Sequence, residues 1–140
     1  MFMKSDVIEN GGFMKIEVVN TILYCRNWAE CVAFYRDDLQ FEVNFTNEWF
    51  VEFKLNEAAC LSVADAGRAW VGPSSGEGVM VSLRVENLVD LRSEMEIKGL
   101  DPTPLEEVWG TDVFSVFDPE GVRLEFWSLN KDNVNGKQTK

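Results

Sequence analysis

Few side chains in this chain are equipped for chemistry, and the absences narrow the field as much as what is present. There is no histidine among the 140 residues, so the commonest general base and a common transition-metal ligand are both missing. The candidate base is Glu125, in the alternating stretch Arg123-Leu-Glu125-Phe-Trp127. A carboxylate lodged in an apolar cavity has its pKa raised toward neutrality, which suits proton abstraction, and Tyr24 could then serve as the acid. An arginine beside it, Arg84 or Arg123, would pull that pKa back down. Cys25, Cys31 and Cys60 form no C-x-x-C pair and lie in apolar stretches. They read as small buried hydrophobes, since a nucleophilic thiol needs a neighbouring base.

The strands that must position these groups come in a repeated order. Asn20-Thr-Ile-Leu-Tyr-Cys-Arg-Asn27 lines up with Met80-Val-Ser-Leu-Arg-Val-Glu-Asn87, and Leu61-Ser62-Val63 with Leu124-Glu125-Phe126. A first strand is expected over Ile16 to Arg26. Asn27 with Glu30 three residues on predicts a capping box, and Trp28, Val32, Tyr35 and Leu39 form one helical stripe, widened by Cys31 and Phe34. Strands are expected at Phe41 to Thr46, Trp49 to Leu55 and Ala58 to Ala64. In the second half, Val79 to Val85 predicts a strand and Asn87 a helix start. Leu88, Leu91 and Met95 make the helix stripe, and Gly99 the stop. Strands near Thr103, at Asp112 to Phe117 and at Val122 to Ser128 complete it, with the turn Asp118-Pro-Glu-Gly121 joining the last two. The fold class is α+β: two tandem βαβββ modules. Residues 1–14 read as a leader and 15–128 as a single domain. Its modules span about 15–64 and 79–128 around a 65–78 linker, and 129–140 read as a fraying polar tail.

Side chains along a strand alternate between two faces. One face is apolar: Leu23 and Cys25; Ala59, Leu61 and Val63; Val81, Leu83 and Val85; Val122, Leu124 and Phe126. It fixes the register under the helix stripes. The opposite face mixes Asn20, Ile22 and Tyr24; Cys60 and Ser62; Met80, Ser82 and Arg84; Arg123, Glu125 and Trp127. Aromatics interspersed with a few polar groups are what small-molecule pockets are made of. The alternative is a half-exposed sheet face with snorkelling side chains.

Composition excludes several partners. A net charge of −11, from 24 acids against 13 bases, argues against nucleic acid and suits a cationic ligand. No apolar run approaches the roughly 20 residues that span a bilayer, and the N-terminal segment lacks a signal peptide's apolar centre. A cytoplasmic location is expected.

Two segments carry a resemblance. Asn20 to Phe41, with Ala33-Phe34-Tyr35-Arg36-Asp37 and Leu39-Gln40-Phe41, resembles the opening module of the vicinal oxygen chelate superfamily. Trp109-Gly110 through Phe117-Asp118-Pro119-Glu120-Gly121 to Leu124-Glu125-Phe126 is similar to its end-of-module signature. That group includes glyoxalase I, bleomycin-resistance proteins and extradiol dioxygenases. The resemblance covers roughly residues 16 to 128. It implies two βαβββ modules curving into a cupped, incomplete mixed β-barrel around a cavity, usually in a homodimer. Metal-dependent members carry ligands at positions that fall here on Asn20, Ser62, Met80 and Glu125. Only Glu125 is a conventional ligand, so no metal and no cofactor are expected. Gln40 stands where the family has glycine, a change expected to affect only a turn.

Three functions follow. The first is a metal-free binding protein that sequesters a basic or aromatic, antibiotic-like ligand, held by the mixed face (Asn20, Ile22, Tyr24, Ser62, Met80, Ser82, Arg84, Arg123, Glu125 and Trp127) and by Trp109 in a loop at the cavity mouth. The second is a metal-independent isomerase, epimerase or lyase with Glu125 as base and Tyr24 as acid. The third is a dimeric scaffold or regulatory module. Of the five tryptophans, Trp28 and Trp49 read as core, and Trp109 and Trp127 as candidates for stacking on a planar or cationic ligand.

Overall fold

The computed structural model describes residues 13–69 and 72–133. Module 1 contains β1 (Val19–Cys25), α1 (Trp28–Ala33), β2 (Glu42–Thr46), β3 (Phe50–Asn56) and β4 (Ala59–Asp65). Module 2 contains β5 (Met80–Arg84), α2 (Leu88–Ile97), β6 (Glu106–Val108), β7 (Thr111–Phe117) and β8 (Arg123–Leu129). Each module makes one four-stranded mixed sheet, ordered β1-β4-β3-β2 and β5-β8-β7-β6. The two sheets form the expected cupped, unclosed α+β architecture. In each, the first strand pairs parallel with the last, Val19 opposite Ala59 and Met80 opposite Arg123, and the remaining pairs are antiparallel.

The predicted apolar face is the core. Leu61, Val63 and Leu124 are fully buried, Leu23 and Phe126 nearly so, and they join one cluster with Val32, Tyr35, Leu88 and Met95 from the helix stripes. The Phe114 and Phe126 rings stack at 5.4 Å across β7 and β8. All three cysteines are buried and free. A hydrogen bond with Cys31, and then burial, push the Cys25 thiol far above its usual range, so it stays neutral.

Several boundaries differ from expectation, each for a physical reason. The first strand begins at Val19, because its ladder partner β4 begins at Ala59. No strand forms at Thr103: Pro102 and Pro104 flank it and cannot donate to a ladder. Thr103 instead exchanges two bonds with Ser115, donating its N–H to the Ser115 carbonyl and accepting the Ser115 N–H on Oγ1, and the edge strand starts only at Glu106. Leu129 completes β8 and residues 130–133 form a helical turn, so the described part of the tail does not fray. The first twelve residues and 134–140 lie outside the described residues.

The capping boxes do not form. Neither Asn27 nor Asn87 makes a side-chain cap bond, and Asn87 is left-handed. The Asn27 N–H donates instead to Glu120 Oε2 at 2.9 Å, across the modules. α1 continues into a π-helical turn over Phe34–Asp38, where the Leu39 N–H reaches the Phe34 carbonyl. α2 ends as expected at Gly99 (φ +79), with Gly99 N–H to Glu96 and Leu100 N–H to Met95, a Schellman closure.

Buried between the modules, the Tyr35 hydroxyl donates to Asp118 Oδ2 at 2.7 Å. The other carboxylate oxygen accepts the N–H groups of Glu120 and Val122. Burial holds the Asp118 carboxyl above its ordinary range although these hydrogen bonds pull it down. The native state therefore binds this proton more tightly than the unfolded chain, and the associated stability is lost as pH rises through the raised pKa.

Two predictions follow from this packing. Tyr35→Phe removes a bond that favours the charged carboxylate and should cost about 1.5–3 kcal/mol near pH 7. The cost should shrink near pH 4 as Asp118 protonates, a difference read from urea midpoints at the two pH values. Gln40 adopts a left-handed backbone at φ +60, so Gln40→Gly should stabilise by about 1 kcal/mol in the same assay.

Candidate functional site

The strand register decides which mixed-face side chains meet. On β5 and β8, Ser82 is the partner of Glu125 and Arg84 of Trp127; on β7, Ser115 partners Glu125 and Val113 partners Trp127. A hollow of about 360 Å³ opens on this face, lined by Ser82, Glu125 and Trp127, by Thr111 and Val113 of β7, and by Val108 and Trp109 at the hairpin. The Ser82 hydroxyl donates to Glu125 Oε1 at 2.9 Å, which fixes the carboxylate and leaves its second oxygen available. Glu125 is the only charged group of the lining.

Trp109 owes its position to backbone geometry. With φ +48 at Trp109 and +81 at Gly110, the β6–β7 connection has the left-handed pair typical of tight hairpins, where Asn-Gly is usual. The indole stands 98% exposed at the hollow's rim. A bulky residue in this conformation bears a local backbone cost.

The other predicted residues lie elsewhere. Asn20 and Ser62 pair on the first sheet, the buried Ser62 hydroxyl donating to Asn20 Oδ1 at 2.7 Å. Ile22 and Tyr24 border a second hollow of about 200 Å³, between β1, Val79, Glu120, Val122 and the linker at 72–76. There Gly76 (φ +84) presses so closely on the 118–121 turn that an added Cβ would lie 2.3 Å from the Gly121 carbonyl oxygen. Met80 is half-exposed and lines neither hollow. Nor do the two arginines: Arg84 lies over the Trp127 ring at 5.4 Å with Asp132 3.9 Å away. Arg123 donates from Nε to Ser115 Oγ at 3.0 Å and covers Phe117. Trp28 is part-buried and donates its indole N–H to the Val63 carbonyl, and Trp49 packs edge-on against Phe50.

Sequence reading missed Glu52. It is the register partner of Ser62 on the mixed face of the first sheet, accepting from Asn44 Nδ2 at 2.6 Å and from the Cys60 thiol at 3.8 Å. Burial, helped by this carboxylate, raises the Cys60 pKa. The alternation of Phe50–Asn56 carried the signal, since Val51 and Phe53 take the core and Glu52 must face away.

The four positions that would carry a family metal do not fit one. The Asn20 oxygen is engaged by Ser62, Ser62 is a neutral hydroxyl, Met80 offers a thioether, and Glu125 alone is a carboxylate. Such a set does not match the imidazoles and carboxylates that hold zinc, iron or nickel. Among the described residues no three His, Cys, Asp or Glu side chains converge. Among them, too, no helix is long and apolar enough to cross a membrane.

No family model and no curated protein matches the sequence. Solved structures do match the fold. A lactoylglutathione lyase from Agrobacterium tumefaciens superposes with a TM-score of 0.66 at 16% identity, over 79% of this chain and 92% of its own. A glyoxalase/bleomycin resistance protein/dioxygenase from Nocardioides gives 0.67 at 18%, over 86% of each chain. A glyoxalase/bleomycin resistance protein from Catenulispora acidiphila gives 0.64 at 22%, over 80% of this chain and 97% of its own. The chain therefore shares the fold of these proteins along nearly their whole length.

Proposed function

We propose that this chain is a cytoplasmic, metal-independent small-molecule-binding protein of the glyoxalase/bleomycin-resistance/dioxygenase superfamily. It sequesters a basic or aromatic, antibiotic-like ligand in the hollow of the second module. One observation carries this reading: a hollow of about 360 Å³ is walled by two tryptophans and two valines and holds a single charge, the Glu125 carboxylate. Aromatic faces stack on planar groups and attract cations. A lone carboxylate braced by Ser82 supplies the counter-charge. The two arginines that could have favoured an anionic ligand are turned to Trp127, Phe117 and Ser115 instead.

A homodimer belongs to the same proposal. Among the described residues, β1 and β5 each end a sheet and pair on one side only. Val19, Ile22, Val79 and Met80, on or beside them, are exposed large hydrophobics, a combination that favours pairing with another chain.

Titrating tryptophan fluorescence with basic antibiotics, aromatic acids and thioether conjugates tests the binding reading. A basic aromatic compound should quench. Trp109→Ala should weaken its binding about 3- to 30-fold, and Glu125→Gln by about tenfold. Silence across the whole panel removes the reading, and unchanged affinity in Glu125→Gln with loss of a measurable turnover replaces it with an enzyme. Light scattering on the same samples should give twice the 16.0 kDa chain mass; a single chain mass at all concentrations discards the dimer.

A further inference from the structure

The alternation legible in the sequence runs further than the strand that forms. A strand is expected from Ile16, yet β1 starts at Val19, where its ladder partner β4 begins. Residues 14–18, Met-Lys-Ile-Glu-Val, keep the strict period of a strand, with Lys15 and Glu17 separating Met14, Ile16 and Val18. Among the described residues they have no pairing partner: none of the five makes a hydrogen bond, and Lys15 and Glu17 make no ion pair. With Phe13 and Val19, they put five exposed large hydrophobics into seven residues. An unpaired, alternating segment with one apolar side is poised to pair with another chain. The free edge of β1 itself is less open. Val79 and the linker at 72–76 stand beside Ile22, Leu23 and Tyr24 across the second hollow, so the unobstructed backbone lies before β1.

The segment's own symmetry says what fits it. Laid antiparallel against a second copy with Ile16 on the two-fold axis, residue 14 meets 18 and residue 15 meets 17. Lys15 then stands opposite the partner's Glu17 and Glu17 opposite the partner's Lys15, while Ile16 meets Ile16 and Met14 meets Val18. Opposed residues of an antiparallel pair project to one face. All six apolar side chains therefore share one face, and two opposite-charge pairs share the other. Shifting the register by one residue sets each charge against an apolar side chain. Shifting it by two sets Glu17 against Glu17 or Lys15 against Lys15, and directly opposed like charges are destabilising. Complementarity of both charge and apolar pattern thus belongs to the two-fold register alone. Such a contact is self-complementary and closed, so association stops at two chains.

We propose that residues 14–18 of two copies pair antiparallel about Ile16, in a ribbon that continues β1 of each. The inference rests on the homodimer reading and names the segment that forms the contact. Each strand of the ribbon is anchored in a four-stranded sheet, which an isolated pair of short strands lacks.

Sedimentation of the full chain over a concentration series tests it. Lys15→Glu sets Glu against Glu and should weaken the dimer about tenfold, and Glu17→Lys, which sets Lys against Lys, should weaken it equally. The chain carrying both changes restores opposite charges and should dissociate like the wild type. All three positions, 15, 16 and 17, are exposed, so the melting temperature of the monomer should not move. Ile16→Cys should cross-link two copies under diamide, because opposed Cα atoms lie about 4.5–5.5 Å apart. Glu17→Cys should not, because its counterpart lies diagonally at about 7–8 Å. The native cysteines are buried and do not compete. General repulsion between chains of net charge −11 predicts instead that Glu17→Lys strengthens the dimer, and that result overturns the inference. So does a double variant as weak as the single ones. A dimer indifferent to both charge changes and uncross-linked at position 16 overturns it too, while leaving the homodimer standing on another surface. A wild-type chain that stays monomeric throughout removes both.

Discussion

A hydroxyl-to-carboxylate bond between Tyr35 and Asp118, closed off from water, is the constraint on which the rest of the molecule depends. Tyr35 comes from the π-helical turn that ends the first module's helix, and Asp118 from the turn that launches the second module's last strand. A buried carboxylate is costly unless its oxygens are filled. Asp118 fills one with Tyr35 and the other with two backbone N–H groups, so its turn has one geometry. Asn27 and Glu120 add a second tie across the same seam, and Gly76 lays the linker against it. β8 starts from this fixed point, and β8 carries Glu125 and Trp127. The hollow thus inherits its shape from a bond on the other side of the sheet.

The two modules are copies in backbone but not in chemistry. Their central rows correspond: Ile22, Ser62 and Glu52 on the first sheet, Ser82, Glu125 and Ser115 on the second. Each row holds one carboxylate, yet it sits on β3 in one copy and on β8 in the other. Glu52 is spent on Asn44 and Cys60, and Ser62 on Asn20. Among the described residues, Glu125 accepts a hydrogen bond from Ser82 alone. On the first face the Ser62 hydroxyl and the Glu52 carboxylate are both engaged, whereas on the second one Glu125 oxygen has no hydrogen-bond partner among the described residues. The two sheets present equivalent rows, with the carboxylate and a hydroxyl exchanged between neighbouring strands.

Alternation and helical periodicity made the architecture legible in the sequence. Leu61, Val63, Leu124 and Phe126 could face only a core, and Tyr35 and Met95 only a sheet. Helix ends were less legible: Gly99 announced its Schellman closure, whereas the Asn27 and Asn87 caps failed because a distant Glu120 and a left-handed backbone claimed them. The site was legible in part. Ser82, Glu125, Trp109 and Trp127 do meet, but alternation alone could not tell that Arg84 and Arg123 would fold back onto aromatic rings. The Tyr35–Asp118 bond joined two motifs whose positions could be read and whose contact could not, because local pattern does not encode which distant turn a helix meets.

Trp109 sits at odds with the backbone that carries it. A tight turn with two left-handed residues favours Asn-Gly, and tryptophan there accepts both an awkward backbone and complete exposure of an apolar ring. Neither cost brings any packing return within the chain. The hairpin is nonetheless held firmly: Asn130 grips both Gly110 and Glu107 from behind, and Thr111 donates its hydroxyl to the Val108 carbonyl at 2.6 Å. Positions that violate local preference while their surroundings are over-determined cluster at functional sites. Under the proposed function, an indole at the mouth of the hollow fits that description, because its open face and the Glu125 carboxylate border the same space.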